Sequence, residues 1–265
     1  MVNLMPVAPA APAAPYIGGK RILSKTIITK INATPHEGYA EAFVGMGGVF
    51  LRRGLQPRME AINDINGDVA NFFRILQRHY PQFMDTLRFQ ITSRREFDRL
   101  SNVDPTTLTD LERAARFLYL QRTAFGGKVD GQSFGVTMQG ARFNLMKIGP
   151  QLEAIHERMA GVVIEQLQWR KFIERYDRPG MLFYLDPPYW GNERDYGDGV
   201  FGRADFAEMA EVLSGLKGRF ILSLNAVQGV FETFSAFQIE EVDCTYSIAG
   251  GNNSKAVQEV IISNL

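Results

Sequence analysis

The sequence predicts an α/β protein in which a mostly parallel sheet is interrupted by a basic, mainly helical insertion. Three observations carry that expectation. Short apolar strand candidates alternate with helical pieces near both ends, residues 69–157 lose that rhythm, and the apolar run Met181–Leu185 stops at Asp186-Pro187-Pro188-Tyr189. Alternating strands and helices imply a sheet covered by helices. A chain of 265 residues, 45% hydrophobic and 22% charged, can bury a core of that size.

Local pattern justifies each element in turn. Residues 1–14 end in an Ala/Pro tract with no apolar face, so they are expected to form a mobile or polyproline-like arm. Residues 41–51 read as a strand's end, a glycine turn at Gly45, Gly47 and Gly48, and a helix start. Such glycines let the backbone approach a ligand closely, and a helix start offers free N–H groups. After a strand candidate at 59–63 comes Asp64, 19 positions beyond Gly45 (64 − 45). In nucleotide-binding α/β folds an acid at about that remove accepts hydrogen bonds from ribose hydroxyls. The turn lacks the G-x-G-x-x-G pattern of dinucleotide sites, and a purely structural turn suits the same residues.

Val69, Phe72, Phe73, Leu76 and Tyr80 recur at helical spacing, as do Ala114, Ala115, Leu118 and Tyr119, so both stretches read as helices with core-facing stripes. Between Gly126 and Gly140, glycines punctuate short β-prone pieces, which suggests a hairpin or a mobile loop.

The run Met181–Leu185 is short enough for a fully buried strand. Two prolines after it forbid ladder pairing, and Pro187 biases Asp186 toward an extended backbone. An ordinary turn fits these residues, but so does a stiff projection holding a carboxylate and a ring where open α/β sheets bind ligands. Residues 190–202, rich in glycine and charge, read as an active-site loop able to move over substrate. Asp205 is the expected N-cap of a helix over 205–216, and strands are expected over 220–224, 237–242 and 257–262.

Composition narrows the function classes. Cys244 is the only cysteine, which excludes an internal disulfide and a cysteine zinc site. His36, His79 and His156 have no metal-ligand spacing, and no metal is expected. No run approaches the roughly 18 apolar residues of a membrane span, and no signal peptide is apparent, so a cytoplasmic, nucleoid-associated protein is expected. Net charge is zero, yet residues 1–149 carry 19 Lys and Arg against 12 Asp and Glu, and residues 150–265 carry 10 against 17. Basic residues with aromatics between 113 and 148 suit phosphates and bases, although a solvated basic face has the same composition.

Asp186-Pro187-Pro188-Tyr189 is the signature of amino-group methyltransferases that use S-adenosylmethionine. Pro15-Tyr16-Ile17-Gly18-Gly19-Lys20, Phe43-x-Gly45-x-Gly47, Asn63-Asp64-Ile65-Asn66, Arg113-Ala114-Ala115-Arg116-Phe117-Leu118-Tyr119-Leu120 and Glu259-Val260-Ile261-Ile262-Ser263-Asn264 follow in family order. In these motifs the chain resembles Dam-type site-specific DNA adenine-N6 methyltransferases of the D12 class, alpha group, over nearly its whole length from Pro15. The resemblance implies a Rossmann-like S-adenosylmethionine-dependent methyltransferase sheet over 15–68 and 160–265, with a target-recognition insertion over 69–159 carrying a β-hairpin. It implies cofactor binding by Tyr16, Lys20, Phe43, Gly45, Gly47, Asp64 and Asp186, with Trp169 in place of the usual Phe against the adenine.

The implied partner is double-stranded DNA, met by a monomer or weak dimer through Arg95, Arg116, Arg122, Phe125, Lys128 and Arg142. Relatives that methylate GATC carry Asn after the hairpin aromatic and Arg four residues beyond. Gly126 and Asp130 stand there instead, so a different or relaxed target is expected.

The tetrad suits this chemistry because the lone pair of an exocyclic amine is delocalised into the ring. Asp186 and the carbonyl of Pro187 can each accept one amine hydrogen. Tyr189 can stack on a base rotated out of the duplex, while Phe125 is either a wedge or packed inward. Rival readings are an amino methyltransferase acting on cytosine N4, RNA or protein glutamine, a silent DNA-binding relative, and a nicotinamide enzyme. Asp186 favours adenine over the first, the intact motifs disfavour the second, and the incomplete glycine fingerprint disfavours the third.

Overall fold

A computed structural model describes residues 4–16, 20, 23–124, 132–135, 140–193, 199–247 and 254–265. In chain order its strands are β1 (Met5–Pro6), β2 (Gly38–Glu41), β3 (Leu55–Gln56), β4 (Met59–Asn63), β5 (Val163–Glu165), β6 (Met181–Leu185), β7 (Arg219–Asn225), β8 (Gln238–Ser247) and β9 (Ser254–Ser263). Seven of them form one sheet in the order β5-β4-β2-β6-β7-β9-β8. The first five of that order run parallel, and β9 is antiparallel to both β7 and β8.

Burial explains the strands. All five residues of β6 are buried, as a parallel strand covered on both faces requires. Leu182 and Tyr184 face one apolar core, while Met181, Phe183 and Leu185 face the other, in the period-two alternation of a strand. From β2 the chain moves outward to β4 and β5, then returns to β6 on the far side of β2. The order therefore reverses between β2 and β6, and their carboxyl ends flank the crevice where α/β sheets take ligands.

The helices are α1 (Ser24–Ala33), α2 (Gly67–Arg78), α3 (Tyr80–Leu87), α4 (Arg94–Ser101), α5 (Asp110–Thr123), α6 (Leu145–Arg158), α7 (Trp169–Tyr176), α8 (Arg203–Ser214) and α9 (Gln228–Thr233). Five of them, α2 to α6, lie between β4 and β5 in sequence. Asn66 caps α2, and Thr109 with Glu112 forms a capping box on α5, satisfying backbone donors that a helix start leaves open. The ring of Phe72 meets those of Phe83 and Phe117, joining α2, α3 and α5. Glu60 of β4 accepts from Arg53 and Arg158, each at 2.7 Å and each guanidinium fully buried, which ties α6 to the sheet.

Three expectations are corrected. The Ala/Pro stretch is not a mobile arm: β1 pairs with β3, Ala10 N–H donates to Leu51 O at 2.7 Å, and Ala10, Ala13 and Ala14 are buried. Small alanines allow close approach, and the carbonyls of Ala13 and Pro15 accept from Arg122 and Gln121. The helix expected after the glycine turn is only the 3-10 segment Phe50–Arg52. Asp205 is not the N-cap of α8 but sits inside its first turn, where its carboxylate accepts from Gly202 N–H at 2.8 Å.

No helix among the described residues is long and apolar enough to cross a membrane. Nor does any group of three or more His, Cys, Asp or Glu among them suit a metal ion.

Candidate active site

The crevice beside β2 and β6 opens into a cavity of about 750 Å³. Its lining includes Tyr16, Lys20, Phe43, Gly45, Asp64, Trp169, Asp186 and Pro188. These residues come from five separate stretches of sequence, brought together by the strand ends and by the N-terminal stretch, whose Ala11, Pro12 and Ala14 form part of the wall.

The glycine turn is built for close approach. Gly45 has φ +50°, and a Cβ there would lie 2.9 Å from the Tyr16 ring; Gly47 has φ +76°, and a Cβ there would lie 2.7 Å from Leu51. Both positions thus exclude a side chain on conformation and on space. Asp64 closes the turn from β4: one carboxylate oxygen accepts from Gly45 N–H and the other from Asn66 N–H, each at 2.9 Å. Burial nonetheless pushes its carboxyl up to about 6, against the lowering effect of those two bonds. Each oxygen keeps a lone pair for a further donor.

Asp186 stands at the carboxyl end of β6. Its Oδ1 accepts from Lys20 Nζ at 2.7 Å and from Ser223 Oγ at 3.0 Å. Lys20 Nζ also reaches Tyr189 OH at 2.7 Å and lies 4.3 Å from that ring's centroid. The structure therefore joins Lys20 to the tetrad directly. Burial raises the Asp186 carboxyl, with Lys20 the largest opposing influence. Pro187 and Pro188 are buried, and Tyr189 is half-buried. Trp169 opens α7, is 3% exposed, and donates from Nε1 to Asp205 Oδ1 at 3.1 Å.

The residues expected at DNA divide into three groups. Arg95 is exposed on α4. Arg116, Arg122 and Arg142 are half-buried and donate to backbone carbonyls: Arg116 to Leu100, Arg122 to Ala13 and Arg142, and Arg142 to Ala124. Phe125 and Lys128, with Gly126 and Asp130, lie outside the described residues. The stretch that holds them is bracketed by an antiparallel bridge between Ala124 and Phe134.

Three polar residues of the site escaped sequence reasoning. Glu41, the last residue of β2, lines the cavity and accepts from Tyr39 OH at 2.8 Å; burial pushes its carboxyl up to about 8. Asn63 ties the end of β4 to Ala42 O and Leu167 O. Ser223 stands inside β7, fully buried. A polar residue within or ending an otherwise apolar strand was the available signal for all three.

The chain is similar in sequence to known methyltransferases. The type II methyltransferase M1.LlaDCHI of Lactococcus lactis subsp. cremoris is 24% identical over 275 residues, covering 96% of this chain and 95% of its own. The type II methyltransferase M.CviBI of Paramecium bursaria Chlorella virus NC1A is 19% identical, covering 78% of this chain and 80% of its own. Among solved structures, a precorrin 8W decarboxylase of Methanobacterium thermoautotrophicum covers 97% of this chain and 98% of its own at 12% identity and a TM-score of 0.42, too loose a likeness to bear on function. Residues 16–248 match the profile of the D12 class N6 adenine-specific DNA methyltransferases, and the chain belongs to that family, whose activity is methylation of adenine N6 in DNA.

Proposed function

We propose that Asp186 and the carbonyl of Pro187 accept the two N6 hydrogens of an adenine rotated out of double-stranded DNA, with Tyr189 stacked on the base. The supporting observation is the clamp on Asp186: Lys20 and Ser223 both engage Oδ1, and Oδ2 is left as the oxygen available to an incoming amine. Accepting an N6 hydrogen draws electron density onto the nitrogen. As that nitrogen takes a methyl carbon it sheds one proton, which Oδ2 is placed to receive, and burial makes this carboxylate a better base than an exposed one.

The residues present suit S-adenosylmethionine. A cavity of about 750 Å³ accommodates a molecule of that size, the side-chain-free turn at Gly45 and Gly47 admits it closely, and the spare lone pairs of Asp64 suit ribose hydroxyls. When bound, this cofactor supplies an electrophilic methyl group on sulfonium sulfur, and the sulfur keeps the electron pair of the broken C–S bond. Lys20 is assigned to its methionine end, Asp64 to its ribose, Trp169 and Phe43 to its adenine, and Tyr16 to the wall beside the glycine turn. Holding donor and acceptor in line is the main service the protein renders, on the scale of ~7 to 11 kcal/mol for well-oriented reactants.

The insertion over 69–159 is assigned to target recognition. Arg95, Phe125 and Lys128 are assigned to DNA, while Arg116, Arg122 and Arg142 are assigned to DNA through the backbone they brace. Gly126 and Asp130 support a target other than GATC, in a monomer or weak dimer acting at the nucleoid.

Two measurements test these assignments. Asp186→Ala should bind S-adenosylmethionine as wild type does and transfer no methyl group to DNA; methylation near the wild-type rate would refute the acceptor role. Base-resolved mapping of modified adenine in cells expressing the protein should place methylation outside GATC, and methylation confined to GATC would refute the altered target.

A further inference from the structure

Behind Asp186 lies a hydroxyl chain that neither the tetrad nor the cofactor motifs include. Ser223 Oγ stands 3.0 Å from Asp186 Oδ1 and 2.9 Å from Tyr184 OH, and Ser223 is fully buried in β7. β7 pairs in parallel with β6, with Tyr184 opposite Ile221 and Leu185 opposite Leu222, so Ser223 occupies the next position along, beside Asp186. The pairing of adjacent strands thus delivers this hydroxyl to the carboxylate.

We propose that Ser223 is a positioning residue for methyl transfer: its hydroxyl, oriented by Tyr184, fixes the Asp186 carboxylate so that Oδ2 is presented to the amine. This rests on the assignment of Asp186 as acceptor. A carboxylate on a strand end can turn about its terminal torsion, which is broad and roughly two-fold. Lys20 alone would pin Oδ1 with a long flexible side chain. Ser223 pins the same oxygen from the sheet itself, with no freedom beyond one short side chain. A hydroxyl that both accepts and donates also polarises its neighbour in a chain of hydrogen bonds.

The bond has a second effect. Lys20 and Ser223 each lower the Asp186 carboxyl, against burial and the negative charge of Glu259 on β9. Among the described residues, Glu41 on β2 and the Tyr184 and Tyr189 hydroxyls also face or border it. Removing the serine hydroxyl takes away one lowering influence, so the carboxylate is protonated at a higher pH and the acid limb of activity moves up.

The test uses the full chain, a mixed-sequence duplex containing adenine, and a labelled methyl donor under single-turnover conditions. Ser223→Ala should lower the rate constant roughly 10- to 100-fold, the scale of losing one hydrogen bond to a charged group. Its acid limb should move to higher pH, while affinity for S-adenosylmethionine stays within about twofold of wild type. Ser223→Thr, which restores the hydroxyl, should recover most of the rate and the wild-type limb. A Ser223→Ala enzyme with wild-type rate and limb would overturn the inference, as would a rate loss with an unmoved limb, the mark of a merely structural residue. Should Ser223→Thr melt early, the Ser223→Ala profile decides alone. Methylation by Asp186→Ala measured alongside would sink the acceptor assignment itself, and that result is distinct from either outcome at Ser223.

Discussion

Acidification should release the cofactor through one side chain. Asp64 is half-buried, its two oxygens hold the N–H groups of Gly45 and Asn66, and its carboxyl is pushed up to about 6 from 3.8. The direction matters: burial disfavours the charged form, so the carboxylate that accepts hydroxyl donors is lost as pH falls through about 6. The dissociation constant for S-adenosylmethionine should therefore be flat just above pH 6.5 and rise toward tenfold per unit below 6. Asp64→Asn keeps the shape but replaces one oxygen with an N–H group, which must face a backbone N–H. At pH 7 it should weaken binding roughly 10- to 100-fold, the loss of one bond to a charged group at about 1.5 to 3 kcal/mol. It should also abolish the acid dependence. Titration calorimetry between pH 5 and 7, below the range where the ligand's own amine titrates at about 7.7 to 8.0, measures both. A wild-type constant independent of pH, or an unchanged slope in Asp64→Asn, would refute the reasoning and assign the titration to another group.

Other perturbations follow from buried charge. Glu60→Gln leaves the buried guanidiniums of Arg53 and Arg158 without their carboxylate and should cost about 3 to 5 kcal/mol in urea unfolding; a loss under about 1 kcal/mol would show that the two arginines are stabilised elsewhere. Glu41, raised from 4.5 to about 8, is protonated in the folded protein at neutral pH, so its contribution to stability falls as pH rises through 8. Between pH 7 and 9 the loss is roughly 1.4 kcal/mol, and Glu41→Gln should be spared it; parallel pH profiles for the two proteins would contradict that. Arg95→Ala should lower the salt slope of DNA binding by about 1, whereas Arg122→Ala, whose guanidinium serves Ala13 and Arg142, should leave the slope unchanged. An equal change in both would place Arg122 on phosphate.

What the sequence made legible was whatever depends on local pattern. The strand Met181–Leu185 was readable because both its faces are buried, which leaves an unbroken apolar run. The helices α2 and α5 were readable from apolar residues at helical spacing, among them Phe72 and Leu118, both of which are buried. Hidden features depended on partners far along the chain. Nothing in an Ala/Pro tract announces that Arg122 and Gln121 will bind its carbonyls from more than 100 residues away. Ser223 looks like an interruption of an apolar strand until β7 is placed beside β6. Lys20 is expected from the resemblance to bind the cofactor, and its contact with Asp186 appears only once the tetrad and the N-terminal motif share a cavity.

The charge asymmetry between the halves takes on a different meaning in the fold. Part of the basic excess of residues 1–149 is spent on acids of the second half: Lys20 pairs with Asp186, and Lys30 with Glu240 at 2.6 Å. Those pairs join the halves into one body and contribute nothing to a phosphate-facing surface. Arg53 is likewise committed to Glu60. The insertion carries exposed positive groups of its own, among them Arg88, Arg94, Arg95 and Lys147. Phosphate contact fixes register without reading sequence, so any of these four that met a backbone phosphate would dock every duplex alike. On the proposed assignment, choice among sequences would fall to residues 125–131, where Gly126 and Asp130 stand at the positions that the resemblance gives to Asn and Arg. Exchanging that stretch alone should change which adenine is methylated and leave the salt slope intact, since the two properties reside in different residues.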